Sequence, residues 1–204
     1  MRATSKLGLA VLTVVAAMAF VGTSASSAKV TTQLCKVHTA LVCPAGQNTT
    51  EIHLVNEGVG TMLSDLVDVL CLTQLALRTP LALAKPQIVH TFSLTIQNCG
   101  TTSSHDNCTI TVEEPPLLNL LKTGLDKGTL TATSGRLRFR CEDIFGFIDI
   151  DCKYDLTGME LAIENQKTVA NETPVSIVEG SGLCPEESTF DYTLVNLVPA
   201  YVLQ

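Results

Sequence analysis

Eight cysteines, Cys35, Cys43, Cys71, Cys99, Cys108, Cys141, Cys152 and Cys184, all lie downstream of an apolar leader, and no other feature limits the fold as strongly. The leader, LGLAVLTVVAAMAFV at residues 7–21, is an uncharged run behind Arg2 and Lys6 and ahead of the small-residue stretch GTSASSA. That order of basic start, apolar run and small residues is the pattern of a secretory signal peptide. The run is shorter than the roughly 20 residues that cross a bilayer as a helix. Cleavage is predicted after Ala28, with Ser26 at the third position back, or after Ala25, with Thr23 there. The expectation is a helical signal peptide over 1–28 and a single β-rich domain over 29–204. The domain is exported and has no membrane span once the leader is removed.

An even number of cysteines in an exported chain points to disulfides, because oxidising compartments let them form and persist. Sequence alone does not select the pairing. Three local pairs stand out: Cys35 with Cys43, Cys99 with Cys108, and Cys141 with Cys152. Each pair is 8 to 11 positions apart, the length of a hairpin loop with its flanks. Local closure of these three leaves Cys71 and Cys184 for a long-range bridge. A zinc site is disfavoured, since the chain has neither a C-x-x-C spacing nor an H-E-x-x-H motif.

Strand signals dominate the rest of the chain. HTFSLTIQN alternates Phe92, Leu94 and Ile96 with polar neighbours, and CTITVEE alternates Ile110 and Val112 with threonine. GTLTATSGRLRFRC, GMELAIEN, PVSIVEG, STFDYTLVNLV and AYVLQ read the same way. Period-two alternation broken by Gly, Asn, Asp and Pro marks half-buried antiparallel strands. Two stretches differ. GTMLSDLVDVLCLTQLALRTPLAL reads as a strand pair or a helix. PPLLNLLKTGLDKG reads as a short helix started by Pro115 and Pro116 and stopped by Gly124. The expected class is all-β: an antiparallel sandwich or barrel-like domain, disulfide-stapled, with one or two short helices.

Five segments carry a likeness to known sequences: LCKVHTALVCPAGQ, LVDVLC, NCGTTSSHDNCTITVEEPPLLNLLKTG, LRFRCEDIFGFIDIDCKY and GLCPEESTFDYTL with AYV. In these the chain resembles a family of exported proteins from high-GC Gram-positive soil bacteria. The resemblance implies a β-rich exported domain and brings no activity and no catalytic residue.

The stretch RCEDIFGFIDIDCKY is the richest in chemistry. Alternation puts Leu137, Phe139 and Cys141 on one face of an incoming strand. Ile148, Ile150, Cys152, Tyr154 and Leu156 share one face of the outgoing strand, and Asp149, Asp151, Lys153 and Asp155 share the other. A hairpin with a solvated acidic face accounts for every residue. The sharper alternative is a calcium site built from Glu142, Asp143, Asp149 and Asp151, whose oxygens are suitable hard ligands, although no D-x-D-x-D-G loop is present. Paired carboxylates also serve glycoside hydrolysis, but they must flank a cleft. The chain also has no tryptophan to stack on sugar rings.

No catalytic constellation emerges. His38, His53, His90 and His105 read as surface residues, and no G-x-S-x-G elbow surrounds any serine. The sequons at Asn48, Asn107 and Asn171 are acceptors only in a glycosylating export path. Lys and Arg number 13 against 20 Asp and Glu, an acidic balance that gives no electrostatic reason to bind nucleic acid. The reading is a non-enzymatic exported binding or structural module with no cofactor and an extracellular or cell-envelope partner. Its alternatives are a carrier of a small hydrophobic ligand in a β-cavity and, third, a secreted hydrolase.

Overall fold

In VLCLTQLALR, every second residue from Val69 to Leu77 is buried, and the residues between them are partly or fully exposed. This strict alternation settles the ambiguous stretch as strands, and the same pattern runs around the whole molecule. The structure is a computed structural model that describes residues 32–38, 43–64, 68–79, 87–101, 107–144, 148–164 and 166–203. The expected signal peptide lies outside the described residues.

Twelve strands run in order: β1 (Gln33–Cys35), β2 (Glu51–Asn56), β3 (Gly60–Leu63), β4 (Val69–Arg78), β5 (Gln87–Thr101) and β6 (Asn107–Gly124). They continue as β7 (Lys127–Ile144), β8 (Ile148–Asp155), β9 (Glu160–Glu164), β10 (Lys167–Gly180), β11 (Glu187–Asn196) and β12 (Tyr201–Leu203). β2 and β3 run end to end between β11 and β4, and β8 and β9 do the same between β7 and β10. Each of these pairs forms one stave, so the sheet closes into an antiparallel barrel of eight staves. β1 and β12 pair separately, Leu34 opposite Val202, and both side chains are buried. This ribbon sits beside the β6–β7 turn, where Lys122 N donates to Thr32 Oγ1 at 3.2 Å and His38 meets the buried Asp126 carboxylate.

An eight-stranded barrel has an interior just wide enough for side chains to fill. Leu54, Leu77, Leu118, Leu120, Leu130, Ile150, Tyr154, Leu156, Leu161 and Leu194 fill it and are fully buried. The outer wall is polar and laced with ion pairs, among them Lys127–Glu164, Lys153–Glu179 and Lys167–Glu57. Apolar inside and polar outside is the reverse of a membrane-spanning barrel.

Two expectations need correction. PPLLNLLKTG forms the second half of β6 and not a helix, and the described residues contain no helix at all. Its Leu118 and Leu120 pair with Ala132 and Leu130 of β7, so long-range pairing overrides the local helical reading. The chain accommodates Pro116 through a bulge in which Gly135, with φ +140°, faces it. A Cβ there would sit 2.9 Å from Pro116 Cα, so only glycine fits.

The disulfides are the second correction. The bridges are Cys35–Cys43, Cys71–Cys99, Cys108–Cys141 and Cys152–Cys184; Cys99–Cys108, Cys141–Cys152 and Cys71–Cys184 are not formed. The reason is register. Cys108 and Cys141 are directly opposite on β6 and β7, with Cα atoms 4.0 Å apart. Cys71 meets Cys99 at a bulge in β5 where Asn98 has φ 53°. Cys152 lies opposite Gly180, whose missing side chain leaves room for Cys184 Sγ, 2.4 Å from where a Cβ would stand. Four bridges are consistent with an oxidising compartment.

Candidate binding cavity

Alternation sends the apolar half of each strand inward, and at mid-barrel those side chains do not quite meet. The resulting cavity is lined by Met62, Cys71, Thr73 and Leu75 on one side, Leu94, Ile96, Ile110 and Pro116 on another, and Leu161, Phe190 and Tyr192 opposite. The cavity between these walls has a volume of about 40 Å³. The space is therefore a slot. Of the lining side chains among the described residues only the Tyr192 phenol is ionisable, Cys71 being bridged.

Tyr192 is placed by its neighbours. Its Cβ is 2.9 Å from where a Cβ on Gly60 would be, so the glycine lets β3 and β11 approach without displacing the ring. Phe190 meets it edge-on at 6.1 Å. Next to Gly60, Asn56 accepts a hydrogen bond from Thr73 N, while its Nδ2 is buried without a partner among the described residues. Protein surrounds the Tyr192 phenol, and burial pushes it up to about 12, yet part of the residue remains accessible because it faces the slot.

This has a measurable consequence. A folded value above the ordinary 10.0 means that the associated stability is fully present below pH 10 and is lost as pH rises toward about 12. In an alkaline absorbance titration of the phenols, Tyr192→Phe is expected to remove the step nearest pH 12. If the step it removes lies at the ordinary value instead, the phenol is open to bulk water and the slot is not dry.

The acidic hairpin behaves differently. β7 and β8 form the expected hairpin, Cys141 and Cys152 both point inward and are fully buried, and the FGF tip lies outside the described residues. On the outer face, Arg138 Nε donates to Asp151 Oδ1 at 2.8 Å and Arg140 pairs with Glu142 at 3.0 Å. The Arg138 guanidinium holds the Asp151 carboxyl below its ordinary range. Asp155 is likewise held down by hydrogen bonds from the N–H and then the hydroxyl of Thr157. Asp151 thus faces a guanidinium from the neighbouring strand, Glu142 faces one from its own strand, and Asp155 is held by Thr157. Asp149 also has a partner, and the Asp143 side chain is outside the described set. Among the described residues no three His, Cys, Asp or Glu side chains gather as a metal site. Sequence reasoning grouped the acids correctly on one face but missed that Arg138 and Arg140 alternate onto the same face from β7.

The histidines are scattered. His38 pairs with Asp126 near the β1–β12 ribbon, His53 lies 3.6 Å from Glu51 on the outer wall, His90 is exposed on β5, and His105 is outside the described residues. The cavity-lining set, by contrast, was spread over seven strands as ordinary core positions. Its only sequence signal was alternation, which says which face a residue takes and not whether the faces meet. Neither a known protein family, nor a curated protein, nor a solved structure matches the chain.

Proposed function

We propose that this protein is an exported, non-enzymatic binding module whose barrel interior holds one small neutral ligand built on an alkyl chain. The observation that supports this reading is the apolar slot inside a closed barrel, since binding sites of small molecules are concave and mostly apolar with a few polar groups for orientation. At about 40 Å³ the slot is well below the roughly 300 Å³ of a small-molecule site, so its walls part to admit a ligand, and a chain needs less parting than fused rings. Met62 and Met159 in its wall are unbranched side chains that adapt as a chain enters. Among the described residues no cation lines the slot, so a carboxylate head has nothing there to offset its loss of water. The Tyr192 phenol is a donor for a hydroxyl or carbonyl oxygen. The resemblance to exported soil-bacterial proteins agrees with a place outside the cell.

The test is a fluorescence titration with parinaryl alcohol, a linear polyene that brightens in apolar surroundings. Saturable binding of one molecule per chain is expected, with the corresponding acid about tenfold or more weaker. Phe190→Trp adds volume to the slot. If it displaces two methylene groups it costs about 1.6 kcal/mol, which is about a tenfold weaker Kd. Equal affinity in the Trp variant, with its fold intact by circular dichroism, would place the probe outside the barrel. Turnover of ester substrates by the parent protein, lost in a point variant, would favour the hydrolase reading instead.

A further inference from the structure

One seam of the barrel wall is only partly zipped. β5 and β6 pair from Gln87 opposite Leu120 to His90 opposite Leu117, and there the ladder ends. Beyond it, Thr91–Thr101 and Asn107–Pro116 have no register partners in one another, although β5 stays paired with β4 and β6 with β7 over those stretches. The stopping point has a chemical cause. Thr91 Oγ1 donates to the carbonyl of Pro116, so the backbone of that residue faces β5. In a strand the N–H of a residue points the same way as its carbonyl, and proline has no N–H to give. The rung that would continue the ladder is therefore missing.

The slot reaches this seam. Leu94 and Ile96 from β5, and Ile110 and Pro116 from β6, line it from the two lips. Leu94, Ile96 and Val112 face inward yet remain partly exposed, whereas inward residues on the fully laddered β4 and β7 are buried. The disulfides leave the seam free. Cys71–Cys99 fastens the β5 lip back to β4, and Cys108–Cys141 fastens the β6 lip back to β7. At its zipped end, Phe92 is the extra residue of a β-bulge between Leu77–Thr91 and Ala76–Ser93. It stands 66% exposed under the Arg78 guanidinium, 4.6 Å from the ring centre.

We infer that the β5–β6 seam is the side entrance of the cavity, through which a neutral alkyl chain passes between two lips that are held apart by proline and anchored by disulfides. This rests on the reading of the cavity as a ligand site. An entrance controls how fast a ligand arrives and leaves, and leaves the affinity of the occupied state nearly unchanged.

Two variants close the seam in different ways. Pro115→Thr with Pro116→Val restores the N–H that faces β5 and removes the ring constraint at both positions. Cys71→Ala with Cys141→Ala frees Cys99 and Cys108, on facing lips, to bridge across the seam, and non-reducing peptide mapping reports whether they do. In stopped-flow mixing with parinaryl alcohol, both association and dissociation are expected to slow together by about tenfold or more in a closed variant, whereas a change in the cavity wall alone, at Pro116 or Cys71, alters dissociation and leaves association at the parent rate. Amide hydrogen exchange over residues 91–101 should slow in parallel in the proline variant.

Unchanged rates in a protein shown to carry the Cys99–Cys108 bridge, or in a proline variant whose amides have become protected, overturn the entrance. Amides that stay unprotected after the proline replacement overturn the account of why the seam is open. If the parent protein binds no probe at all, the cavity reading itself fails, and exchange over 91–101 still reports on the seam alone.

Discussion

Replacing Cys108 and Cys141 together by alanine is expected to lower the free energy of unfolding by about 3–4 kcal/mol, from the loop-closure entropy of a bridge spanning 33 residues. For a domain of this size that corresponds to a fall in Tm of about 10 °C. The same model gives Cys35–Cys43, which spans only 8 residues, about 2–3 kcal/mol. That bridge lies outside the barrel wall, so its loss should loosen β1 more than the barrel. Denaturant unfolding under non-reducing conditions measures both. A thiol assay on the unfolded, unreduced C108A/C141A variant adds a second readout. The register of β6 and β7 leaves every remaining cysteine bridged, so no free thiol is expected. Free thiols at Cys99 and Cys152 would instead mean that the cysteines close the short loops between neighbouring strands. A loss of stability below about 1 kcal/mol would mean that the barrel closes without help from this bridge.

Leu161→Ala should cost a similar amount for a different reason. Leu161 is 1% exposed and forms part of the cavity wall, so truncation removes buried methyl groups and widens a space that its neighbours do not refill. Large-to-small changes of this kind cost about 2–5 kcal/mol. The wall position distinguishes it from an ordinary core site. If the slot holds an alkyl chain, saturating dodecan-1-ol should return part of the lost stability, because a ligand at about 100 times its Kd stabilises the folded state by about 2.7 kcal/mol. The control is Leu130→Ala combined with Phe190→Trp: Leu130 is fully buried outside the cavity wall and the tryptophan fills the slot, so this variant should lose stability and regain less with the alcohol than L161A does. Equal recovery in both would indicate general solvation by the alcohol and would count against a defined slot.

Much of the architecture was legible along the chain. Leu130–Ala132 and Leu137–Cys141 alternate so strictly that strand, inner face and buried cysteine all follow from period two, whereas Val69–Leu77 lies in a stretch that also reads as a helix and is settled by its pairing with β2, β3 and β5. The inward set of the β7–β8 hairpin and the outward placement of Asp149, Asp151, Lys153 and Asp155 needed nothing further. The misreadings share one cause. Pro115 and Pro116 look like a helix start when only neighbours in sequence are considered, but in the barrel they lie where β6 leaves β5. Cys99 and Cys108 look like a hairpin closure, but they stand on the two lips of an unzipped seam. A signal for the true pairing was present. The three barrel bridges span 28, 33 and 32 residues, about the length of two long strands joined by a turn, whereas the short spacings match only the links between strand pairs.

The sequence by itself determined the alternation of apolar and polar positions, and with it the β class, the inward cysteines and the polar outer wall, because each of these depends on one strand and the face a residue takes. It also carried, in two adjacent prolines, the missing donor that stops a ladder. Only the tertiary structure decided which strands are neighbours. Closure of eight staves, the choice of cysteine partners, the guanidinium groups opposite the acidic face and the slot with its open seam all depend on distances between residues far apart in the chain, and periodicity along a strand holds no information about what lies across it.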